Sequence, residues 1–351
     1  MTKIDLDLSF LEALLAAFGP TGFEDEAARV FVRQAESFAD RVERDSRGNV
    51  YAWINPGAGN PLLLAGHLDE IGVIVNHVDE NGFIYFQGLG GWDPQVLVGQ
   101  RLRFRSESEV IGVIGRKPIH LLQSEERTKA AKMEELWADI GASNKAEVAE
   151  MIEVGTPAVI DQPVRYLLGR RLVSKAIDNR IGAFTVLEAL RMAKLSGVRQ
   201  EVIAVGTVQE EIGAYGARAA AFRVEPAASI TVDVTHCTKQ PGVDVRKEGE
   251  SPLGSGANLA VGPFVHPKIL ARLLELAKEQ QIPFTRAAHS RHTGTDADQI
   301  AISRAGVPSA VVSIPNRYMH SPSELIDLGD VEAATQLLAY YAENSVEEFS
   351  R

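Results

Sequence analysis

Two histidines and a set of acids fall where short apolar runs stop. His67 and Asp69 close PLLLAGHLD, Glu210 and Glu211 close EVIAVGTVQEE, and Asp233 lies within ITVDVTH. His320 follows AVVSIPNRYMH, and Asp178 opens the helical pattern that begins in AIDNRIGAF. Imidazole with carboxylate is a donor set for zinc, cobalt or manganese, and a dinuclear centre needs about this many ligands. His67 and Asp69 are two apart, so extended backbone projects them to one face. One can take a metal while the other hydrogen-bonds the far ring nitrogen. Glu210 and Glu211 are neighbours that diverge at a strand end. One can ligate while the other takes a proton from water, the division of labour that metal-assisted hydrolysis requires.

Each residue taken singly has an ordinary reading too. Asp178 serves as the N-cap of the following helix. Glu210–Glu211 is a solvated pair favoured by a helix dipole. His320 is a loop residue ahead of Ser-Pro-Ser-Glu, a capping box with Pro at the first helical position. Asp233 inside an apolar run resists such a reading, because a buried carboxylate without a partner is costly. What favours a metal site is their joint placement.

The elements that must position these groups alternate. Helical periodicity fills the first forty residues and breaks at GPTGFEDE. NVYAWI, PLLLAGHL, EVIAVGTV, ASITVDV and AVVSI have the length and β-branched content of buried strands, and helical patterns at Arg180–Lys194 and Pro267–Gln280 separate several of them. An α/β fold is expected, a mixed central sheet with helices on both faces. Ligands in such sheets collect at the carboxyl ends of the strands. Between about Ile71 and Asp161 the texture changes to IGVIVNHV, FIYFQGL, RLRFRS and EVIGVIG, with Asp-Glu-Asn-Gly as hairpin chemistry and a helical SNKAEVAEMI before Thr156–Ile160. Residues 71–161 therefore read as a small β-rich domain inserted into a domain of residues 1–70 and 162–351.

Composition narrows the function. A net charge of -11 with scattered Lys and Arg argues against nucleic acid. No run approaches the ~18 apolar residues of a membrane span, and the N-terminus lacks a signal-peptide pattern. Cys237 is the only cysteine, which removes intrachain disulfides and thiolate zinc clusters and fits a cytoplasmic protein.

AGHLDEIGVIV, SKAIDNRIGA, TVQEEIGAYGA, VDVTH, RHTGTDA and SIPNRYMHSP stand in the order and approximate spacing of the TET aminopeptidases, which this chain resembles over nearly its whole length. That family comprises dinuclear metallopeptidases, among them glutamyl, leucyl and lysyl aminopeptidases, with a zinc-exopeptidase-like fold. The resemblance implies two divalent ions per subunit, zinc or cobalt first and manganese next. His67 and Asp233 would bind one ion, Glu211 and His320 the other, with Asp178 bridging. Glu210 would be the general base toward a metal-activated water, and Asp69 would orient His67. It also implies peptide substrates, self-association through residues 71–161 and a dodecamer of dimers. Asn179, where an acid is common, and Asp298, where a small residue is common, depart from the pattern and bear on tuning and substrate preference.

Among the other histidines, His289 and His292 are candidates for the substrate pocket and His236 for support of the site. His77, His120 and His266 receive no role. Cys237 reads as a small filler, and Trp53, Trp92 and Trp137 as core or interface residues. Three other functions compete. A cellulase-like glycosidase would use two carboxyl groups and survive chelation. A dinuclear carboxypeptidase or deacylase would prefer N-blocked substrates, and a binding protein would not need a spare base.

Overall fold

The computed structural model describes residues 6–345 and 349. Its strands are β1 (Arg41–Arg44), β2 (Val50–Ile54), β3 (Leu62–His67), β4 (Gly72–Val78), β5 (Ile84–Leu89), β6 (Arg101–Phe104), β7 (Val110–Arg116), β8 (Leu136–Asp139) and β9 (Pro157–Ile160). They continue as β10 (Arg165–Tyr166), β11 (Arg171–Ser174), β12 (Val202–Thr207), β13 (Ala228–His236), β14 (Ala257–Val261), β15 (Phe284–Ala288), β16 (Ser309–Asn316) and β17 (Glu324–Asp327). An eight-stranded sheet runs β1-β2-β12-β3-β13-β16-β14-β15. Its centre, β12-β3-β13-β16, is parallel, so four strands end at the same edge. Antiparallel pairings of β2 with β1 and β12, and of β14 with β16, make the sheet mixed.

Strand alternation divides the sheet between two apolar layers. Leu62, Leu64, Val202, Ala204, Ile230 and Val232 join the helices Leu8–Ala16, Asp25–Glu36, Ile177–Ser196, Pro267–Glu279 and Leu328–Glu343 in one core. Leu63, Ala65, Ile203 and Val205 pack on the opposite side against Ala217, Ala220 and Ala221 of the helix Tyr215–Val224 and Ile300 of the helix Ala297–Ala301. Both faces are covered, so the central strands are buried at every position, as β2, β3 and β12 are. The long helix Ile177–Ser196 is buried nearly all round, wedged between the sheet and the C-terminal helix.

Between β3 and that helix the chain leaves the sheet and closes an antiparallel barrel, β4-β5-β8-β7-β6-β9. Val73, Val75, Ile84, Phe86, Leu102, Phe104 and Ile114 fill it as a core of its own. The β4–β5 turn forms because Asp79 Oδ1 accepts the backbone N–H groups of Asn81 and Phe83, each at 2.9 Å, and Gly82 supplies a φ of +87°. In the helical stretch before β9, the Asn144 side chain accepts from Glu147 N and starts the short helix Lys145–Ala149. The fold is thus the mixed α/β sheet with a small inserted β-rich unit.

Candidate active site

β3 ends at His67, whose imidazole is 1% exposed. Its Nδ1 lies 3.1 Å from the Asp69 carbonyl oxygen and 3.4 Å from Asp69 Oδ1. A carbonyl only accepts, so Nδ1 carries the proton and Nε2 is left facing outward. There it stands 3.3 Å from Asp178 Oδ1 and 3.8 Å from Glu210 Oε2. His320 repeats the device beyond β16. Its Nδ1 donates to the Gly91 carbonyl at 2.8 Å, and its Nε2 stands 3.3 Å from Asp178 Oδ2 and 3.5 Å from Glu211 Oε2. Gly91 follows β5, so the barrel side of the molecule fixes the ring of a residue carried by the sheet. The Asp178 carboxylate spans the two imidazoles, one oxygen to each.

Three sets of ligand atoms converge within 4.8 Å: His67–Asp178–Asp233, Asp178–Glu211–His320 and His67–Glu210–Glu211. The six residues come from the ends of β3, β12, β13 and β16 and the start of the helix Ile177–Ser196. Asp69 lies behind them, fully buried, and its oxygens accept the backbone N–H groups of Glu210 and Glu211 at 3.1 Å each. It thereby sets where both glutamates emerge as well as facing His67.

Two glycines permit this convergence. A Cβ on Gly66 would lie 2.5 Å from Ala183 N and from the Gly182 carbonyl carbon, and one on Gly182 would lie 2.6 Å from the Val232 carbonyl oxygen. Backbone therefore packs directly on backbone where the helix carrying Asp178 crosses β3 and β13. Asn179 locks the crossing, its amide nitrogen donating to Val232 O at 2.8 Å and its Oδ1 accepting from Gly182 N at 3.0 Å.

The cluster is crowded with negative charge. Burial pushes the Glu210 carboxyl up to about 10; Asp233, Asp296 and Glu211 add to the rise, and His67 opposes it. Burial and Asp178 hold the Asp233 carboxyl well above the usual carboxylate range. Burial also works to raise Asp178, but its contacts with His320 and His67 outweigh that and keep it below the ordinary value. His320 is raised to about 11 by Asp178 and Glu211. Glu211 Oε1 is buried without a hydrogen-bond partner among the described residues. Acids packed this closely take up protons or share cationic charge, and imidazole–carboxylate sets of this kind could hold divalent metal.

The helix-based readings of these residues fail here, although His320 does lie in a turn. Asp178 caps nothing: it lies inside the helix boundary with non-helical φ/ψ of -74° and 108°, and its carboxylate faces the histidines. Glu210 and Glu211 precede the helix Tyr215–Val224 by more than its first turn and point at His67 and His320. Ser321-Pro-Ser is a turn, with no helix after it, because Glu324 begins β17. The buried Glu324 carboxylate accepts Asp178 N and His320 N, each at 2.9 Å. It holds two site residues through their backbone, a role its sequence context disguised.

Other residues also escaped the sequence. Asp296, within RHTGTDA, is buried behind the cluster and accepts the Thr207 hydroxyl, its carboxyl raised to about 6 by burial and by Asp69. Glu24 accepts Gly22 N at 2.6 Å and Gln209 N at 3.2 Å and is raised to about 7 by burial and Asp69. Asp298 has a local task, its carboxylate accepting Thr293 N and Gly294 N to fold that loop. The cluster forms one wall of a cavity of about 470 Å³, which His236 and His289 also line. His292 does not line it; its side chain is 79% exposed, 4.0 Å from Asp298. Cys237 and Trp53 are buried, and Trp92 donates Nε1–H to Gly72 O at 2.7 Å.

Fold and site together give a mixed α/β sheet whose acids and histidines gather where its parallel strands end, an arrangement that could serve hydrolysis. A model of the M42 glutamyl aminopeptidase family matches residues 48–337, and the chain belongs to that family. It is 36% identical over 337 residues, 95% of each chain, to a lysyl aminopeptidase of Pyrococcus furiosus. Its fold superposes on the TET aminopeptidase of the marine sediment archaeon Thaumarchaeota archaeon SCGC AB-539-E09 with a TM-score of 0.93 and 34% identity over 97% of both chains. It also superposes on the Pyrococcus horikoshii TET1 peptidase, which can assemble into a tetrahedron or a large octahedral shell, with a TM-score of 0.83 and 26% identity, covering 95% of this chain and 98% of that one. The protein is a hydrolase, an aminopeptidase acting on peptides. No helix among the described residues is long and apolar enough to cross a membrane.

Proposed function

We propose that this aminopeptidase works with two divalent ions, zinc or cobalt before manganese, held by His67 and Asp233 at one position and Glu211 and His320 at the other, with Asp178 shared. The observation that carries this is the Asp178 carboxylate lying between two imidazole Nε2 atoms at 3.3 Å each, with a further carboxylate beside each histidine. The buried Glu211 Oε1, unpartnered among the described residues, and the crowded acids fit a site that takes a cation. Bound there, the ions would supply Lewis acidity toward the scissile carbonyl and make water more acidic.

The remaining work belongs to the chain. Glu210 is not needed as a ligand in this assignment. Its carboxyl, raised by burial and by the neighbouring acids, would be ionised beside divalent charge, and it would then act as general base, taking a proton from the attacking water and handing it to the leaving amine. Asp69 positions both partners: it accepts the backbone N–H of Glu210 and Glu211 and faces His67 Nδ1, holding Nε2 toward the cluster. Residues 71–161, which contain the barrel, would form the dimerisation domain, and dimers would assemble as in the dodecameric TET1 relative. Exposed Val98, Val113, Ile119 and Val154 on that unit support the reading. Light scattering that returned a monomer mass would reject it.

Glu210→Gln tests the centre. It should lower kcat by ~10² to 10⁴-fold, the usual contribution of a general base, while two ions stay bound. Undiminished turnover would reject the assignment. Chelation should abolish peptide hydrolysis; glycoside hydrolysis that survives it would favour a two-carboxylate glycosidase, and equal cleavage of N-acetylated substrates would favour a deacylase.

A further inference from the structure

The cavity beside the cluster has a second wall whose chemistry bears on which N-terminal residue it accepts. That wall comes from β13, β16 and the segments after β15 and β16, and presents Val234, Val311 and Met319 beside polar groups such as Thr235, Thr293 and Ser313. Among the described residues lining the cavity, the only Asp and Glu are Asp178, Glu210, Glu211 and Asp233, already committed to the cluster, and no Lys or Arg is present. Asp298, a spare acid in the first turn of the helix Ala297–Ala301, is turned back onto the segment after β15, where it accepts Thr293 N, Gly294 N and the Thr293 hydroxyl.

We infer that the enzyme prefers N-terminal residues with neutral, mainly apolar side chains, leucyl or methionyl, over glutamyl and lysyl ones. This rests on the aminopeptidase reading of the same site. A carboxylate or an ammonium entering here would shed water and meet, among the described lining residues, no Lys or Arg and no acid outside the cluster, whereas a thioether or branched alkyl chain meets Val234, Val311 and Met319. A hydrophobic pocket discriminates only modestly among apolar side chains of similar size, so selectivity within the neutral class is shallow.

His289 offers the means to test it. Its backbone N–H is tied to the Val261 carbonyl at 2.8 Å, and the residue is half-buried at the cavity, so charge can be introduced there without disturbing the core. With metal-loaded protein, a panel of aminoacyl nitroanilides should give kcat/KM for leucyl or methionyl at least ~10-fold above glutamyl and lysyl. His289→Glu should raise the lysyl-to-leucyl ratio several-fold, and His289→Lys the glutamyl-to-leucyl ratio. A lysyl or glutamyl substrate ranking first, or ratios that neither variant moves, would overturn the inference. If nothing in the panel turns over, the aminopeptidase reading fails, and calorimetric titration with free L-leucine, L-glutamate and L-lysine still decides the pocket. Tighter leucine binding supports the inference, and equal or tighter binding of a charged amino acid overturns it.

Discussion

Glu70→Gln should destabilise the protein by about 3–5 kcal/mol, the usual cost of removing one partner from a buried ion cluster. Glu70 is 2% exposed, and its Oε1 accepts from Lys175 Nζ and Arg180 Nη2 at 2.8 Å each, while Oε2 accepts from Lys175 Nζ at 2.8 Å. The substitution keeps the shape and removes the only anion that the two buried cations share in these contacts. Arg180 retains carbonyl partners, Leu14 at 3.0 Å, Ala17 at 2.7 Å and Leu68 at 3.0 Å. Lys175 has little else, the Ala17 carbonyl at 3.3 Å. Burial already lowers Lys175 from 10.5 to about 8, with Glu70 resisting. That gap corresponds to about 3 kcal/mol, and losing Glu70 widens it.

The sign follows from proton linkage. Between about pH 8 and 10.5 the unfolded chain binds more protons at Lys175 than the folded one, so wild-type stability from this group rises with pH across that window. Lys175→Met should flatten that rise. The double variant Glu70→Gln/Lys175→Met should recover much of the loss seen in Glu70→Gln alone, since Arg180 keeps its carbonyls. Denaturant unfolding of the wild type, both single variants and the double variant reads the coupling. A loss below ~1 kcal/mol for Glu70→Gln, or a double variant as unstable as the two singles summed, would refute the account.

Asp178→Asn should lower occupancy at both ion positions, because one carboxylate faces both histidines; two ions still tightly held by metal analysis would count against a shared ligand. Gly66→Ala should be strongly destabilising, since its Cβ would lie 2.5 Å from Ala183 N in backbone that cannot yield cheaply; wild-type unfolding midpoints would contradict the packing.

Much of the scaffold was legible because it rests on local signals. Apolar runs at Val50–Ile54, Leu62–His67 and Val202–Thr207 became buried strands, and the Asp79–Gly82 turn became a hairpin. The residues proposed for the site were legible as a set because parallel strands end together, which places His67, Glu210, Asp233 and His320 at one edge although sequence separates them widely. What stayed hidden depends on contacts that no local pattern encodes. Glu324 mimicked a capping box, yet its partners are the backbone of Asp178 and His320. Glu70, Lys175 and Arg180 each look like ordinary surface charges until the fold buries them against one another.

The buried triad and the site share a physical basis. Glu70 follows the His67–Asp69 segment directly, Lys175 precedes Asp178, and Arg180 follows it while also holding the Leu68 carbonyl. The ion cluster therefore joins the two stretches of chain that bring His67 and Asp178 within 3.3 Å. Buried charge pairs rarely add net stability over apolar packing, so their use here points to geometry: they fix where one carboxylate lies between two imidazoles. Glu324 restrains the same carboxylate's residue from the opposite side through Asp178 N, and Gly91 fixes the second imidazole. A site built from four strand ends and one helix start needs such cross-links, because each element alone would leave its ligand free to drift by more than the cluster tolerates.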